Sequence, residues 1–202
     1  YRISRSIEKM NEFILKFPEC QFYNDAIDYR DSLAYEQVEK VNSIEAFKTF
    51  IDTYPNSKLV YNAKDNIQSM AFQIAKTTNT IESYQQFIRE YPKSFQAEKA
   101  KQKIIEFEYN NAVMKNSIDG YKNFLSKYPN STYNKEIKIY LEDLEWNDAD
   151  RSGTISAYQN FISNYPNSIR KKDAENKIDD LKKIALPYLL SNRKYKFYDI
   201  DK

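Results

Sequence analysis

The sequence predicts an all-α protein, an α–α superhelix of five stacked helix–turn–helix units, and three observations carry that prediction. Prolines recur at a fixed 37-residue step, as Pro18, Pro55, Pro92, Pro129 and Pro166, each behind an aromatic residue. Apolar columns keep the same step and stand three and four residues apart, the spacing of one face of an α-helix. Hydroxyl residues recur just ahead of each apolar run, where a starting helix needs acceptors for its unpaired first-turn amides. Self-similarity of this period marks a repeat array, in which one unit cannot bury its apolar face alone.

The first helix of each unit, helix A, follows from four columns counted back from the proline. Eleven residues before it stand Ile7, Ile44, Ile81, Ile118 and Ile155. Eight before stand Met10, Phe47, Tyr84, Tyr121 and Tyr158, and five before stand Phe13, Phe50, Phe87, Phe124 and Phe161. Ile14, Ile51, Ile88, Leu125 and Ile162 complete the stripe. Ser43, Thr80, Ser117 and Thr154 are placed to cap helix A. The proline stops it, because a residue before proline is pushed out of the helical region.

Helix B follows each proline. Ser57, Ser94, Ser131 and Ser168 are expected to cap it, with Cys20 as a weak equivalent in the first unit. Its inward columns are Ala26, Ala63, Ala100, Ile137 and Ala174, then Ile67, Ile104, Leu141 and Ile178, then Leu33, Met70, Phe107, Leu144 and Leu181. Arg30 breaks the second of these columns. Most aromatic residues fall in the helix-A columns, in the pre-proline column or at Tyr35, Phe72, Tyr109 and Trp146, which reads as packing. The repeat domain spans residues 1–186, with units at about 4–42, 43–79, 80–116, 117–153 and 154–186.

After Pro187 the helical pattern ends. Residues 188–200 read as strand, turn and strand, so 187–202 is expected to be a short β-like or disordered tail, or the start of a further β-rich domain. The chain opens on Tyr1, which reads as a piece cut from a longer protein.

Composition narrows the function. Thirty-one basic residues against 29 acidic ones give a net charge of +2, which supplies no dominant basic surface for nucleic acid. The longest apolar run near the end, Ile184–Leu190, is too short to span a bilayer. A mean hydropathy of −0.80 suits an array with much wet surface. The chain has no histidine, one cysteine, and two isolated glycines, Gly120 and Gly153. The commonest acid–base group, a zinc-ligand set and a phosphate-cradling loop are therefore all missing. Asp143, Glu145, Asp148 and Asp150 form an acidic run without calcium-loop spacing, read as a solvated face. Arg170–Lys172 and the group Lys99, Lys101 and Lys103 are interleaved with acids such as Glu98, Asp173 and Glu175. No catalytic site, cofactor or metal is expected.

The column set Phe47, Phe50, Ile51, Tyr54, Ala63, Ile67 and Met70 resembles the tetratricopeptide repeat. It departs in its 37-residue length and in Ile51, which stands at a small-residue position. The run Tyr84–Ser94 is similar to repeats of the bacterial outer-membrane β-barrel assembly lipoprotein and its periplasmic relatives. The run Tyr195–Ile200 weakly resembles the opening of a WG-type β-repeat, without its glycines.

The tetratricopeptide resemblance implies a non-catalytic scaffold that binds a protein or peptide on a concave helix-A face. Its groove positions carry over to Glu45, Lys48 and Asp52, then Glu82, Gln85 and Arg89, then Asp119, Lys122 and Ser126, then Ser156, Gln159 and Ser163. Glu8, Glu45, Glu82 and Asp119 form an acidic row suited to a basic partner. The lipoprotein resemblance implies a bacterial envelope assembly, in the periplasm or at the outer membrane, with the cytoplasm as alternative. Self-association through open array ends is a further expectation. The competing reading is a structural spacer or regulatory segment serving an activity in a neighbouring domain.

Overall fold

The computed structural model describes the backbone of residues 6–198 and the side chains of residues 6–184. These residues form ten α-helices and no strand. The A helices are α1 (Ile7–Lys16), α3 (Ile44–Thr53), α5 (Ile81–Glu90), α7 (Ile118–Lys127) and α9 (Ile155–Asn164), all offset by 37 residues. The B helices are α2 (Tyr23–Val41), α4 (Val60–Thr78), α6 (Phe95–Lys115), α8 (Asn134–Ser152) and α10 (Lys171–Tyr198). Successive helices pack on one another, and the fold is an all-α stack of helical repeats of the solenoid class. Two compact units divide within α6, the first reaching Phe107 and the second beginning at Glu108.

Local chemistry sets the helix ends. Ser43, Thr80, Ser117 and Thr154 hold extended backbone and accept from the amides of Ala46, Ser83, Gly120 and Ala157 at 3.1–3.2 Å. At the far end each pre-proline tyrosine leaves the helix, as Tyr54 does at φ −126° and ψ 60°. Tyr54 still donates its amide to the Phe50 carbonyl at 2.9 Å.

The serines after the prolines do a different job from the one expected in three units. Ser57, Ser131 and Ser168 accept from the amide only two residues on, at 3.2, 3.2 and 3.0 Å. They close a tight turn, and helix B starts after it, at Val60, Asn134 and Lys171. Ser94 alone among these four caps a helix directly, accepting from Ala97 at 3.1 Å.

Helix B ends by a signal the sequence also repeats. Asn42, Asn79 and Asn116 adopt left-handed backbone, with φ of 48°, 52° and 44°, and Gly153 does so at 59°. Asparagine and glycine tolerate that conformation better than other residues, so they stop the helix. In the last unit the same column falls on Leu190.

That substitution accounts for a correction. Residues 188–198 are helical, continuing α10, where strand, turn and strand were expected. Pro187 costs the helix one backbone bond, but residues 188–198 include no left-handed residue to end it. Residues 199–202, the last part of the expected tail, lie outside the described residues.

Each core is built from the same columns. In the first unit Ala34, Tyr35, Phe47, Phe50, Ala63 and Ile67 form one cluster, and Ala75, Tyr84, Phe87 and Ala100 form another. In the second unit Ala149, Tyr158, Phe161, Ala174 and Ile178 do the same. An aromatic residue of helix B plugs the next helix A: Tyr35 meets Phe50, Phe72 meets Phe87 and Trp146 meets Phe161 at ring distances of 5.2, 5.3 and 5.1 Å. Burying each such ring contributes about 2–3 kcal/mol, so the plug dominates the junction. The buried alanines, Ala63, Ala100 and Ala174, let the helices of a pair approach closely.

Candidate protein-binding surface

Helix A presents its stripe inward, so its opposite face is wet. All twelve residues assigned to the groove from sequence are exposed there. In the first unit Glu45, Lys48 and Asp52 lie on α3, and Glu82, Gln85 and Arg89 on α5. In the second unit Asp119, Lys122 and Ser126 lie on α7, and Ser156, Gln159 and Ser163 on α9. Lys48 lies 3.9 Å from Glu45, a loose pair between exposed side chains. Lys122 bridges to Glu145 of α8 at 2.6 Å.

Three concavities of the surface sit on helix A, and another of about 270 Å³, lined by Ile139, Glu142, Asp143, Ser168 and Arg170, takes none of these residues. In the first unit a hollow of about 300 Å³ opens between α3 and α5 over the last turns of α4, lined among others by Ile44, Lys48, Ile74, Thr78, Gln86 and Glu90. In the second unit a hollow of about 270 Å³ opens between α7 and α9 over α8, lined by Ile118, Lys122, Glu145, Asp148, Asn160 and Asn164. These linings are the same columns displaced by two repeats. A smaller hollow of about 50 Å³, between the end of α6 and α7, takes Asn111, Lys115, Asn123 and Lys127 from those columns.

Of the twelve residues, therefore, Lys48 and Lys122 line these hollows, and the other ten are exposed but line none of the three. The columns of Gln86, Asn123 and Asn160, and of Glu90, Lys127 and Asn164, were passed over. Their signal was present in the 37-residue step, but which edge of helix A leans over the next repeat is a property of the stacking.

Charge inside the hollows is largely paired. Lys127 meets Glu108 at 2.7 Å, and Lys122 meets Glu145. Gln86 donates to Glu90 at 2.9 Å. The Lys127 ammonium is held above its ordinary pKa, first by the hydrogen bond to Glu108. Asn123 and Asn160 make no hydrogen bond among the described residues. Each side-chain amide there offers one donor group and one acceptor, the complement of a peptide unit. On α1, Glu8 accepts from the helix's own cap, Ser6, at 2.6 Å, and that bond lowers its pKa.

Carboxylates of the acidic run on α8 are dispersed over its faces. Asp143 pairs with Arg170, Glu145 with Lys122 and Asp150 with Lys177, and Asp148 lies 3.8 Å from Arg151. Asp150 also accepts from the Tyr158 hydroxyl at 2.9 Å, and Lys177 above all lowers its pKa. Among the described residues no three histidine, cysteine, aspartate or glutamate side chains converge on a point. Cys20 is half-buried and unpaired. No helix among the described residues is long and apolar enough to cross a membrane.

A tetratricopeptide-repeat family model matches residues 69–94, from the last turns of α4 through α5 to Ser94. The match covers the plug Phe72 together with its seat, Tyr84 and Phe87. No curated protein matches the chain. The matched segment and the repeating helices make this a tetratricopeptide-like protein, and such repeats generally mediate protein–protein interaction.

Proposed function

We propose that the chain is a non-catalytic scaffold that holds an extended segment of a partner protein on the exposed faces of its A helices. The observation that carries this reading is the recurrence of one hollow, built from the same columns, beside the A helices of both units. A surface that repeats its polar groups, as α7 and α9 of the second unit do with Asn123 and Asn160, matches a ligand that repeats its own, and a peptide main chain does so. Asn123, Asn160 and Gln86 pair with main-chain amides, and the ion pairs beside them keep fixed charge from dominating recognition. The exposed Glu8, Glu45, Glu82 and Asp119 favour a partner segment carrying lysine or arginine and raise its rate of approach. The likeness of Tyr84–Ser94 to envelope lipoprotein repeats supports an assembly of the bacterial envelope as the setting.

The test is site-specific photocrosslinking in cells. A photoreactive residue replaces Gln86, Asn123 or Asn160 in turn, with Lys64 and Lys101 on the B helices as controls. One partner captured at the three hollow positions and not at the controls supports the reading. Equal capture at the controls removes the hollows from it. A second arm reverses Glu45, Glu82 and Asp119 together, and unchanged affinity for that partner removes the acidic row.

A further inference from the structure

The hollow that takes no groove residue lies in the second unit, between α8 and the turn that leads into α10. Ile139, Glu142, Asp143, Ser168, Ile169 and Arg170 line it. Ile139 stands ten residues after one proline and Ile169 three after the next. The 37-residue step therefore sets an equivalent pair at each earlier junction: Asp28 with Lys58, Asp65 with Phe95, and Gln102 with Thr132. In the first of these the Lys58 ammonium bridges to the Asp28 carboxylate from one repeat to the next. Only the last of the four pairs is wholly aliphatic, yet Ile139 is 52% exposed and Ile169 93%. Two aliphatic side chains left in water on a charged surface, in columns that elsewhere hold polar groups, mark a contact site.

The rest of the lining is polar and held in place. Ser168 donates its hydroxyl to Glu142 Oε1 at 2.6 Å and accepts from the Arg170 amide at 3.0 Å. The Arg170 guanidinium pairs with Asp143 and lies 5.9 Å from the centre of the Trp146 ring. Arg170, the cation of this lining, is thus engaged by Asp143, and the Glu142 carboxylate meets a neutral hydroxyl.

We propose that this hollow docks a segment of a partner protein through one aliphatic side chain, seated against Ile139 and Ile169, with a lysine or arginine beside it for Glu142. Volume sets the size of the occupant. Sites that enclose a small molecule hold about 300–1,000 Å³, whereas about 270 Å³ open at the surface suits a side chain. Charge sets its neighbour. Two carboxylates against one guanidinium leave the hollow acidic, which favours a basic residue and disfavours an anionic lipid surface. The hollow shares no residue with those on helix A, and either reading can stand without the other.

The probe is the dipeptide N-acetyl-leucyl-lysine amide, titrated into the full chain with ¹³C-labelled isoleucine methyls. Saturation transfer to the acetyl methyl reads binding, and the Ile139 and Ile169 methyl shifts, identified with single Ile→Val variants, read the site. We expect saturable shifts of both isoleucines. Affinity should fall about tenfold for the seryl-lysine analogue, which lacks the aliphatic group, and about threefold for the leucyl-glutamate analogue, which brings a like charge to Glu142. Ile139→Asp with Ile169→Lys imports the ion pair of the first junction, so that chain keeps its melting temperature and loses the binding. Ile169→Ser, at an exposed position, keeps the fold as well and weakens binding about threefold or more. Absence of saturable shifts at the two isoleucines, equal affinity for the three dipeptides, or unchanged binding by either variant overturns the proposal. A dimer seen by light scattering that the double variant disperses assigns the hollow to a second copy and also overturns it.

Discussion

Arg30 and Asp31 break the core pattern of the first repeat, and the break makes a sharp prediction. Arg30 stands in the column that holds Ile67, Ile104, Leu141 and Ile178. Its Nε and Nη2 donate to Asp31 Oδ1 at 2.9 and 2.7 Å, and its guanidinium lies 5.0 Å from the centre of the Tyr54 ring. Asp31 is only 3% exposed, and the Arg30 side chain 20%. Asp31→Ala leaves a partly buried cation without its counter-charge. Breaking a fully buried pair costs about 3–5 kcal/mol, and the remaining exposure of Arg30 lowers this to about 2–3 kcal/mol. The next repeat solves the same position with Ile67 and Gln68, so Arg30→Ile with Asp31→Gln imports a solution the fold already tolerates. That double variant should lie within about 1 kcal/mol of the parent, because replacing both partners of a buried pair is often neutral. The assay is urea unfolding of the chain and both variants, followed by far-ultraviolet circular dichroism. A double variant as unstable as Asp31→Ala, or an Asp31→Ala variant as stable as the parent, refutes the reasoning.

Three further outcomes follow from the same geometry. Asn79 holds left-handed backbone and accepts from the buried Tyr84 hydroxyl at 3.1 Å, so Asn79→Ala should cost about 2 kcal/mol and Asn79→Gly about half that, read as shifts in melting temperature. Gly120→Ala should raise stability by about 0.5–1 kcal/mol in urea, since Ala46 and Ala157 fill the same place behind capped helix starts, and the added Cβ, 2.8 Å from Ser117 Oγ, asks that hydroxyl to shift slightly while it keeps its bond to the residue 120 amide. Burial, and then the Glu136 carboxylate, push the Tyr109 phenol well above its ordinary range. The fold therefore holds the neutral phenol more tightly than the open chain does. That stability is complete below the usual tyrosine value of about 10 and is lost as pH rises past it. Urea midpoints should thus fall between about pH 8 and pH 11, and Tyr109→Phe should shrink the fall.

Much of the fold was legible because its signals are local. A proline forbids helix in its predecessor, a hydroxyl one residue before an isoleucine caps a helix start, and columns three and four apart share a face. These determine the bounds of α1, α3, α5, α7 and α9 and the residues Phe47, Phe50, Tyr84 and Phe87 that fill the core. The stop of helix B was equally local. The column of Asn42, Asn79, Asn116 and Gly153 carries it, and so does the change to Leu190, which lets α10 run through Pro187.

The binding surface was only half legible. Periodicity put Glu45, Lys48, Gln85 and Lys122 on the wet face of helix A, because a helix has only one inward side. It did not say that Lys48 would share a hollow with Gln86 and Glu90, or Lys122 with Asn160 and Asn164. Those residues belong to different repeats, and what brings them together is the packing of one repeat on the next. Sequence determined what each helix turns inward, through torsions and spacing within a few residues. Tertiary structure decided which outward faces meet, because that rests on packing between helices of different repeats.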